Sequence, residues 1–189
     1  MSNSWGSEGE DPKEADQNKA LHDAIHAAEA KGVLFIAAAG NGRQASQMSQ
    51  PAGYDNDTDS KPGMPASYPD DIIISVAAVD SSGNLGSFSN YGKRTVHIGA
   101  PGVKVYSTTV GSHYSDTVID MMGMKATWDG TSMATPHVAG AAALYISTHP
   151  NASWQQVKAA ILKSATPTAS LTDKVSSGGR LNVEAMLQQ

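Results

Sequence analysis

The sequence predicts an α/β fold, a mainly parallel sheet with helices on both faces, and three observations carry that expectation. Its strand candidates are continuous apolar runs rather than alternating ones, as strands covered on both sides should be. One of them, Val33-Leu34-Phe35-Ile36-Ala37-Ala38, follows a helical pattern almost at once, which is the αβ half of a repeating unit. Eighteen Gly, frequent Ala and only 6% aromatics suit close helix-on-sheet packing better than an aromatic-filled barrel. The 189 residues, 40% of them hydrophobic, suffice for one sizeable core, and the length predicts one domain.

The elements follow in order. Asp11, Pro12 and Glu14 predict a helix start, with Asp as N-cap, Pro at the first helical position and a carboxylate in the first turn. Leu21, Ala24, Ile25 and Ala28 recur at spacings of three and four and mark its buried face, and Gly32 closes it. Residues 33–38 are then a strand buried on both faces. Residues 42–67, rich in Gln, Ser, Asn, Asp, Pro and Gly, read as a long surface loop, a length that usually serves function. A second buried strand spans 72–79, with a turn near Gly83 and shorter strand candidates at 95–98 and 103–108. Residues 133–149 read as a buried helix. Ser153 with Gln156 forms a capping box that opens a last helix running to Ala165, with Trp154, Val157, Ile161 and Leu162 facing inward.

Composition excludes several classes of function. The net charge is −5 and no basic run could neutralise a line of phosphates, so nucleic acid is not an expected partner. No apolar stretch approaches the roughly 20 residues of a membrane helix, so no membrane partner is expected either. With no Cys, disulfides, thiolate nucleophiles and sulfur-ligated zinc are ruled out. Residues 1–6 lack the charged start and apolar stretch of a signal peptide.

Chemistry concentrates in Gly130-Thr131-Ser132-Met133-Ala134-Thr135-Pro136-His137-Val138-Ala139-Gly140. A Ser placed immediately before a helix meets unpaired N–H groups and the positive end of the dipole, a good location for an oxyanion. Gly130 permits close approach of a substrate, while Ala134 and Gly140 would let the helix pack tightly. On these features alone an N-cap is the simpler reading of Ser132, and a turn residue that of Asn41 after Gly40.

The whole string resembles, position for position, the active-serine motif of the subtilisin-like serine proteases, the subtilase family. Other segments resemble that family in its order: Ser4-Trp5-Gly6 its substrate-binding strand, Ala37-Ala38-Ala39-Gly40-Asn41 its oxyanion segment, and Pro65-Ala66-Ser67-Tyr68-Pro69 the far wall of its S1 pocket. Phe88-Ser89-Asn90-Tyr91-Gly92, Ala100-Pro101-Gly102 and residues 178–183 resemble its structural landmarks. The resemblance implies a subtilisin-like fold and a serine endopeptidase, secreted, acting on peptides or proteins. It implies Ser132 as nucleophile, Asn41 and the Ser132 N–H as oxyanion donors, and Thr131 as support. Ala38, Ala39 and Gly40 with Met64, Pro65 and Ala66 would line the P1 slot, and Ser4, Trp5 and Gly6 would pair with substrate as an added strand.

The family's triad runs Asp, His, Ser along the chain, and neither an Asp-Thr-Gly nor a His-Gly-Thr-His segment occurs here. Residues 1–189 therefore correspond to the C-terminal portion of one catalytic domain, lacking its N-terminal strands. The expected partner is the N-terminal part carrying Asp and His, without which the chain should be inactive and should expose the edge of the strand at 33–38. Neither His137, which matches a structural histidine of the family, nor the other histidines offers an expected base.

No cofactor is expected for the chemistry. His97 replaces an Asp that in some relatives helps to hold calcium, and imidazole suits that ion poorly, so structural calcium there is disfavoured. Asp55, Asp57 and Asp59 alternate like an oxygen-ligand loop without the downstream Glu of an EF-hand and read as a solvated loop. Two alternatives stand beside the peptidase: a non-catalytic peptide-binding remnant of the same fold, and a zinc hydrolase through His22 and His26. The latter imitates His-Glu-x-x-His, with Asp23 a methylene short of the Glu that serves as base and no third ligand recognisable downstream. Two solvated histidines on a helix edge are the simpler reading of that pair, and no metal ligands are expected.

Overall fold

A computed structural model describes residues 1–8, 19–46, 49–111, 113–119 and 123–189. Along the chain these form β1 (Ser2–Asn3), β2 (Ser7–Glu8), α1 (Lys19–Glu29), β3 (Phe35–Ala38), β4 (Gly63–Met64), β5 (Ile73–Val79) and β6 (Ile98–Pro101). There follow β7 (Ser107–Thr109), β8 (His113–Ser115), β9 (Thr117–Ile119), β10 (Lys125–Thr127), α2 (Thr131–Thr148), α3 (Trp154–Lys163), β11 (Thr166–Pro167), β12 (Gly179–Arg180) and α4 (Val183–Leu187), with a 3-10 turn at Ala169–Leu171. One sheet has the order β1-β3-β5-β6-β12-β11, parallel throughout except for the last pair, so the fold is the mainly parallel α/β type that the apolar runs predict. The ribbons β2–β4, β7–β8 and β9–β10 are antiparallel.

Burial explains the runs. Every residue of β3 and β5 is buried. α2 crosses β1, β3, β5 and β6, and α3 and α4 pack on α2. The buried residues of α2, from Thr131 through Ala134, Val138 and Ala141 to Tyr145, recur at three and four and form a continuous stripe. The close approach of α2 depends on Gly102, where an added Cβ would stand 2.5 Å from that of Ala78 and 3.1 Å from that of Ala134. Gly140 plays no such part: it is exposed, with open space where a side chain would go. Alternation along β5 then turns Ala77 and Val79 to the other face, where they meet Leu171 and Val175. α1 packs against β3 through buried Ile25.

The capping box is present in full. Ser153 Oγ accepts from the Gln156 N–H at 3.3 Å and Gln156 Oε1 from the Ser153 N–H at 2.8 Å, an arrangement worth about 1 kcal/mol. The helix start proposed at Asp11, Pro12 and Glu14 lies outside the described residues.

Several boundaries differ, each for a local reason. Strand pairing begins at Phe35 because Val33 still belongs to the turn that leaves α1, its N–H bonded to Ala28 O, and is 38% exposed. The strand expected at 95–98 is displaced to Ile98–Pro101 because Asp57 accepts hydrogen bonds from the Arg94 and Thr95 N–H groups and the Thr95 hydroxyl, holding that segment in a turn. Residues 103–106 stay irregular because the Lys104 and Val105 N–H groups are taken by Asp129 Oδ1 and Trp128 O. The edge at 33–38 is covered: β1 pairs with β3, Ser2 beside Ile36 and Asn3 beside Ala37. Nor is 42–67 simply a surface loop, since Asn56 and β4 are buried within it.

Candidate active site

Ser132 sits within the first turn of α2, after Thr131, rather than ahead of the helix. Its hydroxyl does not cap the helix but donates to Ser4 O at 3.0 Å, and the Ser4 hydroxyl donates to Ser132 O at 2.7 Å. Pro136 explains why that carbonyl is available: the residue four positions on would normally donate to it, and proline has no N–H. The Ser132 N–H belongs to the turn whose donors have no intrahelical acceptor, at the positive end of α2.

Asn41 stands opposite, just past the end of β3. Gly40, at φ +114°, lets the chain turn sharply off the strand. Asn41 Oδ1 accepts from both the Thr131 N–H and the Thr131 hydroxyl, each at 2.9 Å, and Thr131 Oγ1 accepts from the Gly40 N–H at 3.3 Å. With its oxygen held by two donors the amide has one orientation, and Nδ2 keeps two hydrogens to give elsewhere. Thr131, fully buried, is the brace for this arrangement.

One cavity of about 320 Å³ brings the two together. Of the residues singled out from sequence, Ser4, Trp5, Gly6, Ala38, Gly40, Asn41, Met64, Thr131 and Ser132 line it. Ala39, Pro65 and Ala66 do not: all three are buried behind it, and Ala39 O accepts from Asn56 Nδ2 at 2.9 Å. The β2–β4 ribbon sets Ser7 opposite Met64. A Cβ on Gly6 would come within 2.6 Å of Met64 O, and one on Gly63 within 2.6 Å of Ala39 O, so both positions are confined to glycine.

Sequence reasoning missed the groups that hold these walls together. Asn56, 3% exposed, also accepts from the Gly63 N–H and from Asn90 Nδ2, each at 3.1 Å. Asn90 Oδ1 in turn accepts from the Gly42 and Tyr54 N–H groups. The alternating aspartates are likewise occupied rather than solvated. Asp57 takes the donors of Arg94 and Thr95; burial pushes its carboxyl up, but those hydrogen bonds outweigh it and hold the group below the usual range. Asp59 pairs with Arg43 through two hydrogen bonds at 2.7 and 3.0 Å.

Among the described residues no imidazole is hydrogen-bonded to Ser132. His137 Nδ1 turns back to Met133 O, 2.9 Å away, and His149 stacks on Tyr145. His113 lies in β8. His97 Nδ1 accepts from the Ser75 N–H at 2.9 Å, and burial, with the nearby Lys158 charge, pushes this histidine down to about 3, so it is neutral. A second cavity, of about 600 Å³, is also lined by Ser132, together with Tyr106, Val110, Trp128, Met133 and His137 among others. His22 and His26 face not the cleft but Asp70, whose carboxylate lies far along the sequence and carries no spacing signal; ligand atoms of all three lie within 4.8 Å of one another.

The subtilase family's profile matches residues 1–183. Subtilisin DY of Bacillus licheniformis is 41% identical over 170 residues, 89% of this chain and 52% of that protein. Subtilisin BL of Lederbergia lenta is 38% identical over 165 residues, 87% of this chain and 50% of its own length. The chain thus spans about half the length of the curated relatives it matches. Among solved structures, the prenylagaramide maturation protease PagA superposes with a TM-score of 0.69 at 30% identity, covering 99% of this chain and 60% of that one. The self-cleaved protease domain of PatA gives 0.71 at 27% identity, with 99% and 60% covered.

Proposed function

We propose, from the premise that the chain belongs to the subtilase family, that it supplies the nucleophile and oxyanion donors of a serine endopeptidase site. The observation that carries this reading is the pair of hydrogen bonds from Thr131 to Asn41 Oδ1, which leaves an oriented amide on the same cavity as the Ser132 hydroxyl. A substrate strand lies along Ser4, Trp5 and Gly6 with its P1 side chain toward Ala38, Gly40 and Met64. Ser132 Oγ leaves Ser4 O and attacks the scissile carbonyl carbon while a base takes its proton. The carbonyl oxygen gains the charge, met by Asn41 Nδ2 and the Ser132 N–H. Collapse expels the amine, which takes the proton from the base, and water, giving a proton to the same base, then cleaves the acyl-enzyme to the free acid and restores the Ser132 hydroxyl. No cofactor enters these steps, and an extracellular location is the family expectation.

The base and its orienting carboxylate come, in this reading, from a segment outside these 189 residues. The second cavity bordered by Ser132, whose lining includes Tyr106, 68% exposed, and Val110, 96% exposed, offers that segment an apolar seat. The test is labelling by a fluorophosphonate and turnover of a peptide substrate, with and without an added segment bearing the family's Asp and His motifs. Labelling and cleavage that need the segment and vanish in Ser132→Ala are expected. Saturable peptide binding with no labelling under either condition would replace the peptidase by a binding module of the same fold.

A further inference from the structure

We propose that His22, His26 and Asp70 form a binding site for one divalent transition-metal ion of the zinc class, pinning α1 to the segment that leads into β5. His22 and His26 lie one turn apart on α1, so both rings project from the same side. His22 Nε2 is 2.8 Å from Asp70 Oδ2 and His26 Nδ1 is 3.1 Å from Asp70 Oδ1. Tetrahedral zinc with bonds near 2.0–2.1 Å sets its ligand atoms about 3.3 Å apart; here the two imidazoles approach different oxygens of Asp70 and one ligand atom from each residue lies within 4.8 Å of the others, so side-chain rotation alone brings the three donors around one ion. Two imidazole nitrogens and one carboxylate oxygen suit zinc, cobalt, nickel or copper, and suit calcium or magnesium poorly.

Two further observations point to a cation rather than to a plain hydrogen-bonded clamp. The Asp70 side chain is 1% exposed, and among the described residues its ion-pair partners are these two imidazoles, which carry no permanent charge. A carboxylate so far from water is costly unless a cation meets it. Moreover, Asp70 Oδ1 is buried without a hydrogen bond although His26 Nδ1 lies 3.1 Å away. His22 is held for ligation by stacking on Tyr68 at 4.5 Å between ring centres, and Glu29 Oε2, 3.8 Å from His26 Nδ1, adds negative charge at the rim.

The site stands apart from the peptidase cleft. Asp70 precedes the N-terminal end of β5, and Phe35 pairs with Ile73 there, whereas Asn41 follows the C-terminal end of β3; in a parallel sheet these are opposite ends. The proposal is therefore independent of the peptidase reading.

The test uses the full chain without a polyhistidine tag, titrated with zinc by calorimetry and with cobalt by visible absorption. One equivalent should bind with Kd below about 100 μM, cobalt should give the intense bands of a tetrahedral site, and zinc at a hundredfold excess over Kd should raise Tm by about 5–10 °C. His26→Ala, at a half-exposed position that leaves the core intact, and Asp70→Asn should each weaken binding at least about tenfold and abolish the rise in Tm, with circular dichroism certifying the fold. Absence of saturable binding, or one equivalent bound equally well by both variants, would overturn the assignment.

Discussion

Ser4 and Ser132 exchange hydrogen bonds in both directions, hydroxyl to carbonyl, at 2.7 and 3.0 Å. Pro136 makes this possible by withholding the N–H that Ser132 O would otherwise accept. Ser4→Ala should therefore cost about 1 kcal/mol, and Pro136→Ala, which restores the helical donor, should make the same Ser4 change nearly neutral. A double-mutant cycle by urea unfolding measures the coupling; equal losses in both backgrounds would show that the two donors do not compete for Ser132 O.

In a catalytically complete form of the protein, Asn41→Ala should lower kcat by roughly 10²–10³ with little change in KM, because the amide is needed once charge develops on the substrate oxygen. That magnitude is carried over from subtilisin. Steady-state kinetics on a peptide substrate check it. A rise in KM at constant kcat would assign Asn41 to substrate binding instead.

What could be read from sequence was what local chemistry and periodicity determine. The continuous apolar runs showed a parallel sheet because β3 and β5 are buried on both faces, and Ser153 with Gln156 showed a helix start because a capping box lies within four residues. Ser132 and Asn41, by contrast, read locally as an N-cap and a turn residue, and the resemblance of whole segments to the subtilase family marked them as a site. Contacts between distant segments left no such trace. Asn56 and Asn90 look like ordinary loop residues until they meet between Ala39 and Gly63, and Asp70 acquires its two histidines only when α1 docks. The misplaced strand at 95–98 has the same origin, since the hydrogen bonds that hold it in a turn come from Asp57, far earlier in the chain.

Asn56→Ala would leave Ala39 O, the Gly63 N–H and Asn90 Nδ2 without their shared partner inside the wall of the cleft. Each orphaned buried group costs about 1–3 kcal/mol where water cannot replace the partner. A loss on the order of 3 kcal/mol by denaturant unfolding is expected, together with weaker peptide binding. A change below about 1 kcal/mol would mean that water enters and bridges the three groups.

Stability should fall as pH drops through the range set by His97. Unfolded, this imidazole takes its proton near 6.5, whereas folded it stays neutral down to about 3, because burial and Lys158 disfavour the charge. Nδ1 must also remain an acceptor for the Ser75 N–H. Between those limits the unfolded state binds the extra proton, so stability rises with pH: the contribution is complete above about 6.5 and is lost progressively toward 3. The ideal slope of about 1.4 kcal/mol per pH unit is an upper bound, since the ring is partly exposed, and a value on the order of 1 kcal/mol per unit is expected. Carboxylates add their own losses lower in the range, so the informative window is pH 4.5 to 6.5, where wild type should steepen relative to His97→Asn, which offers an amide oxygen to the Ser75 N–H and cannot titrate. Superimposable stability profiles for the two proteins across that window would show that His97 charges freely in the folded state.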